Sequence, residues 1–148
     1  METAEFVFGS ASISDLNTLK KLWLEAFKVF GYEAHHCEEF FFDLDIQTRV
    51  LRLGTVIVGT SMHRRRQSSL ELVALLVAAP HRRQSVGSRL LKAVIVEAGH
   101  RNLTSIKLHT AAQNVAARGF FESHGFRAEN EEDQYPRGQR AIAYQLLL

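Results

Sequence analysis

The sequence predicts an α/β fold built on a mixed, largely antiparallel sheet with helices on both faces. Three observations carry that expectation. Residues 72–79 form an apolar run closed by Pro80, too short for a helix and suited to a buried strand. A basic, polar turn follows it, and then a stripe of apolar residues at helical spacing. Upstream, two strand-like segments joined at Gly54 lead into the run through short turns, which makes an antiparallel meander.

Taken in order, residues 5–10 read as a first strand. Ser14 is placed to cap a helix. Leu16, Leu19, Trp23, Ala26, Phe27 and Phe30 recur at spacings of three and four, an amphipathic stripe that Gly31 ends. A second, shorter helix is expected over 33–42. Residues 47–53 alternate and are rich in branched side chains, a strand; Gly54 turns it into a partner over 56–64. Residues 63–68 form the next turn, into the central strand. Val86, Leu90, Val94 and Ala98, flanked by Leu91 and Ile95, mark a helix that Gly99 closes. A strand over 104–109 follows. Asn114 caps a helix over 115–124, and Gly125 ends it. Phe126 starts a strand, 129–138 is expected as a long polar loop, and 141–147 closes the fold as a strand. The order is β-α-α-β-β-β-α-β-α-β-β, whose strand–helix–strand units after a meander give the mixed sheet.

Length and composition bound the function. The chain has 148 residues, 46% hydrophobic and 23% charged, with a net charge of +2. That is one globular domain, expected over 1–148, and nothing global demands a nucleic acid or a membrane surface. Two prolines and nine glycines leave little material for a linker. The start, Met1-Glu2-Thr3-Ala4-Glu5, lacks the basic and apolar regions of a signal peptide, and no apolar run approaches the ~18 residues of a membrane helix. With Cys37 as the single cysteine there is no intrachain disulfide, and a cytoplasmic location is expected.

The turn Arg82-Arg83-Gln84-Ser85-Val86-Gly87 is the stretch that carries chemistry. Free backbone N–H groups at a helix start, with the helix dipole, attract an anion, and arginines and a hydroxyl suit phosphate. Gly87 lets the backbone approach a ligand closely. A solvated basic loop is the plainer alternative. Glu71 stands at the mouth of the apolar run. Its alternation set, Glu71, Val73, Leu75 and Val77, is an otherwise apolar face, so its carboxyl is expected either to be paired or to have a raised pKa.

Two patches resemble the GNAT superfamily of N-acetyltransferases. Arg82-x-x-Ser85-x-Gly87 is similar to the acetyl-CoA pyrophosphate motif, with Ser85 where that motif has its first glycine. Asn114-x-x-Ala117-x-x-Phe120-Phe121-Glu122-x-x-Gly125-Phe126 resembles the family's second patch, with Phe121 where tyrosine is usual. The resemblance implies a GNAT-like fold, acetyl-CoA as acyl donor and a primary amine as acceptor. It implies that the strands starting near Leu70 and Thr104 splay around the pantetheine arm. Leu75, Leu76, Val77, Arg82, Arg83, Gln84, Ser85, Val86, Gly87, Ser88, Asn114 and Phe121 would then hold the cofactor. Backbone N–H groups of Leu75, Leu76 and Val77 would polarise the thioester carbonyl. Glu71 falls where histone acetyltransferases of the superfamily carry their general base. Phe30, Tyr32, Glu33 and Tyr135 fall in the two segments that shape the acceptor pocket. Phe121 cannot supply a proton to the leaving thiolate; a water would, or nothing, since a thiol of pKa ~8.5 leaves tolerably well unaided. Tyr135 and Tyr144 are candidates by residue type alone.

Other readings are weaker. His35, His36, Cys37 and Glu39 form the densest set of potential ligands, but adjacent helical histidines point apart and no ligand spacing completes a set, so no metal is expected. The arginines at 64–66, with Arg82, Arg83 and Arg89, lack the interleaved aromatics of a nucleic-acid surface; solvation of a hairpin turn accounts for 64–66. The acidic segment at Glu129, Glu131, Glu132 and Asp133 suits a cationic acceptor or simply water. A non-catalytic acyl-CoA-binding or protein-interaction domain on the same fold is the competing expectation, and a homodimer is compatible with either.

Overall fold

Two tight turns set the register of the meander. Gly54, at φ 63°, joins β2 (Gln47–Leu53) to β3 (Val56–Arg66), and Gln67, at φ 56°, turns β3 into β4 (Ser69–Val77). The computed structural model describes residues 5–82, 85–135 and 139–148, the side chains of 130–139 excepted. The other strands are β1 (Phe6–Ser10), β5 (Ser105–Ala111), β6 (Arg127–Tyr135) and β7 (Gln139–Leu147). The helices are α1 (Leu16–Phe27), α2 (Ala34–Phe42), α3 (Val86–His100) and α4 (Val115–Ser123). They follow one another in the order expected from the sequence.

The sheet order is β1-β2-β3-β4-β5-β7-β6. Every neighbouring pair is antiparallel except β4 with β5, which the crossover through α3 makes parallel. Adjacent residues of a strand face opposite sides, and the core divides accordingly. Val50 packs with Leu19, Leu22 and Trp23 of α1, while its neighbour Leu51 packs with Val86 and Leu90 of α3. Phe121 of α4 joins Leu91 and Val94 of α3 in the core over β5 and β7. So α1 and α2 cover one face, and α3 and α4 the other.

Several local expectations are corrected. Ser14 is not the cap: a 3-10 turn, Ile13–Asp15, precedes α1, and the Ser12 backbone N–H donates to the Asp15 carboxylate at 2.9 Å. The first helix turns 3-10 over Lys28–Phe30 before Gly31, at φ 92°, stops it. β3 runs on to Arg66, so Arg64, Arg65 and Arg66 are strand residues. Gly99 lies inside α3, which ends at His100. The segment expected as a long polar loop is largely strand β6; it is the edge of the sheet, where charged side chains are tolerated and block further pairing.

Gly59 fixes how closely α3 approaches the sheet. A Cβ there would lie 2.7 Å from Leu90 Cδ1 and 2.9 Å from the Leu76 carbonyl oxygen. The backbone oxygen has little room to give, so Gly59→Ala is expected to destabilise the fold by about 1–3 kcal/mol. Urea unfolding would measure this; a loss below ~0.5 kcal/mol would show that α3 is not held at this distance.

Candidate active site

The site begins with an irregularity in β4. Met62 of β3 lies opposite Ala74 and His63 opposite Leu72, so Val73 is an extra residue, a β-bulge. In a regular strand Leu72 and Ala74 would share a face. Instead Leu70 and Leu72 pack with Leu91 and Val94 of α3, while Ala74 and Leu76 pack with Leu19 and Trp23 of α1. Leu75 and Val77 turn to Val86 and Leu90 of α3. The expected alternation set is thereby broken: Glu71 does not share a face with Leu75 and Val77. It stands opposite Arg64, whose guanidinium also comes within 3.8 Å of Asp43, just past α2.

Beside the bulge the sheet opens. Among the described residues the parallel ladder has three pairs, Ser69 with Ser105, Leu70 with Ile106 and Glu71 with Lys107. Beyond Glu71 the two strands part, and a cleft of about 940 Å³ fills the wedge. Leu75, Leu76 and Val77 line it from β4, and His109, Thr110 and Ala111 from β5.

One end of the cleft is the start of α3. Ser85 is its N-cap at φ 64°, ψ 14°, a left-handed conformation, and makes no side-chain cap hydrogen bond. The first N–H groups of the helix are therefore left for a ligand. Arg82, Ser85, Val86, Gly87 and Ser88 line this end. Arg82 Nε donates to the Val77 carbonyl at 3.4 Å, and the Ser88 hydroxyl lies 3.0 Å from His124 Nε2. Gly87 has a packing role besides close approach: a Cβ there would meet the Phe120 ring at 3.2 Å. Arg83 and Gln84, expected in the same cradle, lie outside the described residues.

Asn114 and Phe121 line the cleft from α4. The Asn114 side chain also caps α4, accepting from the Ala117 N–H at 3.1 Å. Phe121 packs edge-on against Phe120 and Phe126 and offers no proton. Tyr144 is not a substitute acid. It is fully buried, donates to Glu122 at 2.9 Å and accepts from Arg118 at 3.1 Å.

The opposite end is walled by α1, the turn after it and α2. Phe30 and Tyr32 line it as expected, joined by Trp23, Phe27 and Phe40. Sequence reading placed Trp23 and Phe27 in the core stripe and missed that they also face a cavity. Glu33 is corrected: it does not line the cleft but starts α2, with its exposed carboxylate 3.2 Å from His35 Nδ1. The side chain of Tyr135 is outside the described residues. Cys37 is buried in the α1–α2 core, where burial pushes its thiol up to about 11.

Glu71 lines the cleft, between two arginines. Arg64 Nε and Nη2 reach its two carboxylate oxygens at 3.0 and 3.3 Å, and Arg66 Nε reaches Oε2 at 2.7 Å. Burial pushes the carboxyl up, but the hydrogen bonds and charges of Arg64 and Arg66 outweigh it and hold the pKa below the ordinary glutamate value. The alternative of a raised pKa is thus corrected; the carboxylate is the paired one. Arg64 and Arg66, read from the sequence as turn residues in water, are its partners.

A family model for the acetyltransferase (GNAT) family matches residues 16–126. The chain belongs to that family. Solved structures agree on the fold. The ribosomal-protein-S18-alanine N-acetyltransferase of Escherichia coli superposes with a TM-score of 0.81 at 20% identity, covering 97% of this chain and 94% of that one. Ard1 from Thermoplasma volcanium gives 0.84 at 16% identity, covering 97% of each. The PaiA N-acetyltransferase of Thermoplasma acidophilum, solved with coenzyme A, gives 0.73 at 17% identity, covering 94% and 98%. No curated protein matches the chain.

GNAT proteins use acetyl-CoA, and the features of this cleft fit that ligand: an open wedge between strands for a narrow arm, and an uncapped helix start with Arg82 for phosphates. No helix of the described residues is long and apolar enough to cross a membrane.

The lowered pKa of Glu71 has a stability consequence of defined sign. A carboxyl depressed on folding contributes stability that is fully present above its unfolded value, near 4.5 here, and is lost as pH falls through the folded value. Glu71→Gln is therefore expected to be less stable than wild type at pH 7, with the gap closing in acid. Urea titrations at pH 7 and at about pH 3 would show it. A gap independent of pH would mean that the two arginines do not hold the carboxylate.

Proposed function

We propose that the protein is an acetyl-CoA-dependent N-acetyltransferase that passes an acetyl group directly to a primary amine, as one domain over residues 1–148. The observation that carries this reading is the wedge between β4 and β5, opening beside the uncapped start of α3. In it, Arg82, Arg83, Gln84, Ser85, Val86, Gly87 and Ser88 cradle the pyrophosphate. Asn114 and Phe121 flank the pantetheine arm, whose amides pair with the open edges of β4 and β5. Backbone N–H groups of Leu75, Leu76 and Val77 polarise the thioester carbonyl. Phe30, Tyr32 and Tyr135 bound the acceptor. Bound acetyl-CoA supplies an activated acyl carbon and a thiolate leaving group. The amine nitrogen attacks that carbon, the C–N bond forms as the C–S bond breaks, the nitrogen gives up a proton and the thiolate takes one. No metal, nucleic acid or membrane enters the scheme. It suits the cytoplasm, where Cys37 stays reduced, and either a monomer or a homodimer.

In this scheme Glu71 stays ionised and accepts a hydrogen bond from the acceptor ammonium or from a water beside it. As a base its depressed pKa makes it weak, so the proton passes on to solvent. The acid limb of the pH–rate profile is then expected to follow the acceptor: amines of different pKa should shift it by comparable amounts. A limb fixed across amines and abolished in Glu71→Gln would instead make Glu71 the general base, with a loss in kcat of roughly 10²–10⁴-fold.

Arg82→Ala is expected to weaken acetyl-CoA binding roughly ten- to a hundredfold, the worth of one well-formed charge-assisted contact. Calorimetry measures it, and unchanged affinity would remove Arg82 from the site. Release of free thiol on adding amines to the acetyl-CoA complex tests the reaction itself. Binding without thiol release would favour the acyl-CoA-binding alternative, which Phe121 in place of tyrosine already supports.

A further inference from the structure

The acceptor end of the cleft has a composition of its own. Trp23, Phe27, Tyr32 and Phe40 form one ring cluster. Trp23 lies edge-on to Phe27 at 4.9 Å and to Tyr32 at 5.7 Å, and tilted to Phe40 at 5.7 Å. All four line the cleft, with Phe30 beside them. The cluster is a wall on the page in its own right: α1 and α2 supply it, and neither matching patch contributes a residue to it.

Charge narrows what this wall accepts. Among the described residues, the side chains lining the cleft that carry full charge are Glu25, Glu71 and Arg82. Arg82 stands at the α3 end, with the cradle. Glu25 belongs to α1 and Glu71 to the side of the sheet that α1 and α2 cover. Among the described residues, the ring-lined end therefore presents carboxylates and π faces, and no lining cation. Arg64 and Arg66 are outside that lining and are engaged by Glu71, so among the described residues a carboxylate carried next to the reacting nitrogen would find no lining cation to pair with. An extended peptide would need hydrogen-bond partners for its amides, which a wall of rings does not offer.

We infer that the acceptor is a small primary amine carried on an aromatic group, without a carboxylate beside the nitrogen. This rests on the acetyltransferase reading above and names its acceptor. The ring of such an amine stacks edge-on or offset against Phe30, Tyr32 and Phe40, and its nitrogen points along the cleft toward the thioester carbon. The carboxylates and π faces at this end favour entry of the amine as its ammonium, which sheds a proton to water before the nitrogen attacks. The transfer balances as before: the amine nitrogen loses one proton to water and gains the acetyl group, and the thiolate takes one proton.

Trp23 is the only tryptophan of the chain, so its fluorescence reports occupancy of the wall whether or not turnover occurs. The probe is 2-phenylethylamine, with n-butylamine, phenylalanine and a short peptide with a free amino terminus beside it, each added to the complete protein with coenzyme A present. A saturable change in Trp23 emission is expected with 2-phenylethylamine, at a concentration at least roughly tenfold below any needed for the other three. Phe30→Ala should raise that concentration roughly tenfold while leaving coenzyme A affinity, measured by calorimetry, unchanged; Phe30→Leu serves if the alanine variant does not fold. With acetyl-CoA, thiol release should rank the amines in the same order, and the Phe30 change should appear in KM rather than kcat. No saturable change with 2-phenylethylamine, or a preference for the peptide or the amino acid, overturns the inference and leaves the acetyltransferase reading standing if any amine releases thiol. Saturable binding of 2-phenylethylamine without thiol release from any amine keeps the aromatic wall and ends the acetyltransferase reading.

Discussion

The extra residue at Val73 changes which way β4 presents its side chains, and both halves of the cleft inherit the change. N-terminal to it, Leu70 and Leu72 belong to the α3 core; C-terminal to it, Ala74 and Leu76 belong to the α1 core. The strand also bends at a bulge. Beside it the parallel ladder with β5 stops at Glu71–Lys107, although both strands run on, β4 to Val77 and β5 to Ala111. The edges of β4 and β5 past this point border the cleft, where water can pair with their backbone groups; a ligand with amides along its length, as proposed above, would take the place of that water.

The same bulge decides the electrostatics. With Glu71 rotated to the α1–α2 side, it faces Arg64 across the hairpin and Arg66 beside it. Two opposing effects act on the carboxyl. Partial burial favours the neutral acid, and two guanidiniums within hydrogen-bond distance favour the anion; the guanidiniums win. Had Glu71 turned to the face of Leu70 and Leu72, it would have stood among Leu91 and Val94 of the α3 core, and burial would have decided. The catalytic consequence follows from that sign. A carboxylate stabilised by two arginines is a good hydrogen-bond acceptor and a poor proton sink. In the transfer proposed above, the burden of deprotonation then falls on the acceptor amine and its surroundings.

Which parts of this were legible in the sequence follows from how each signal is encoded. The helices α1, α3 and α4 announce themselves by a 3.6-residue apolar period and by Gly31, Asn114 and Gly125 at their ends. The hairpin at Gly54 and the two matching patches are local, and local signals survive without tertiary information. The bulge does not. The segment 72–77 is apolar at every position, so either register buries apolar atoms and the sequence cannot say where the alternation slips. Arg64 and Arg66 looked like a solvated turn because a basic run next to a hairpin usually is one; only the cross-strand register brings them to Glu71. β6 hid among charged residues because an edge strand is free to carry them. Glu33 was near the acceptor segment in sequence, yet its position as the start of α2 turns it toward His35 instead.

The start of α3 is tied to α4 across the end of the cleft. Ser85 holds a left-handed conformation that glycine adopts freely and serine does only with some strain, so its surroundings must fix it. Two contacts from α4 brace the residues that follow it. The Phe120 ring closes against Gly87, where no side chain would fit without displacing it, and His124 approaches the Ser88 hydroxyl. Phe120 in turn packs edge-on against Phe121, which lines the cleft opposite the strands. The turn proposed above to bind phosphate is thereby coupled through two rings to position 121. Tyrosine at 121 would add a hydroxyl to this contact; phenylalanine keeps the packing and, in the transfer proposed above, leaves protonation of the thiolate to water. The α1–α2 wall shares none of these contacts. Its rings pack on one another and on the opposite face of the sheet, so its lining can be changed without moving the cradle. The two faces of one sheet thus support the α3 end and the α1–α2 end of the cleft independently, so donor and acceptor recognition, as proposed above, are separable in this fold.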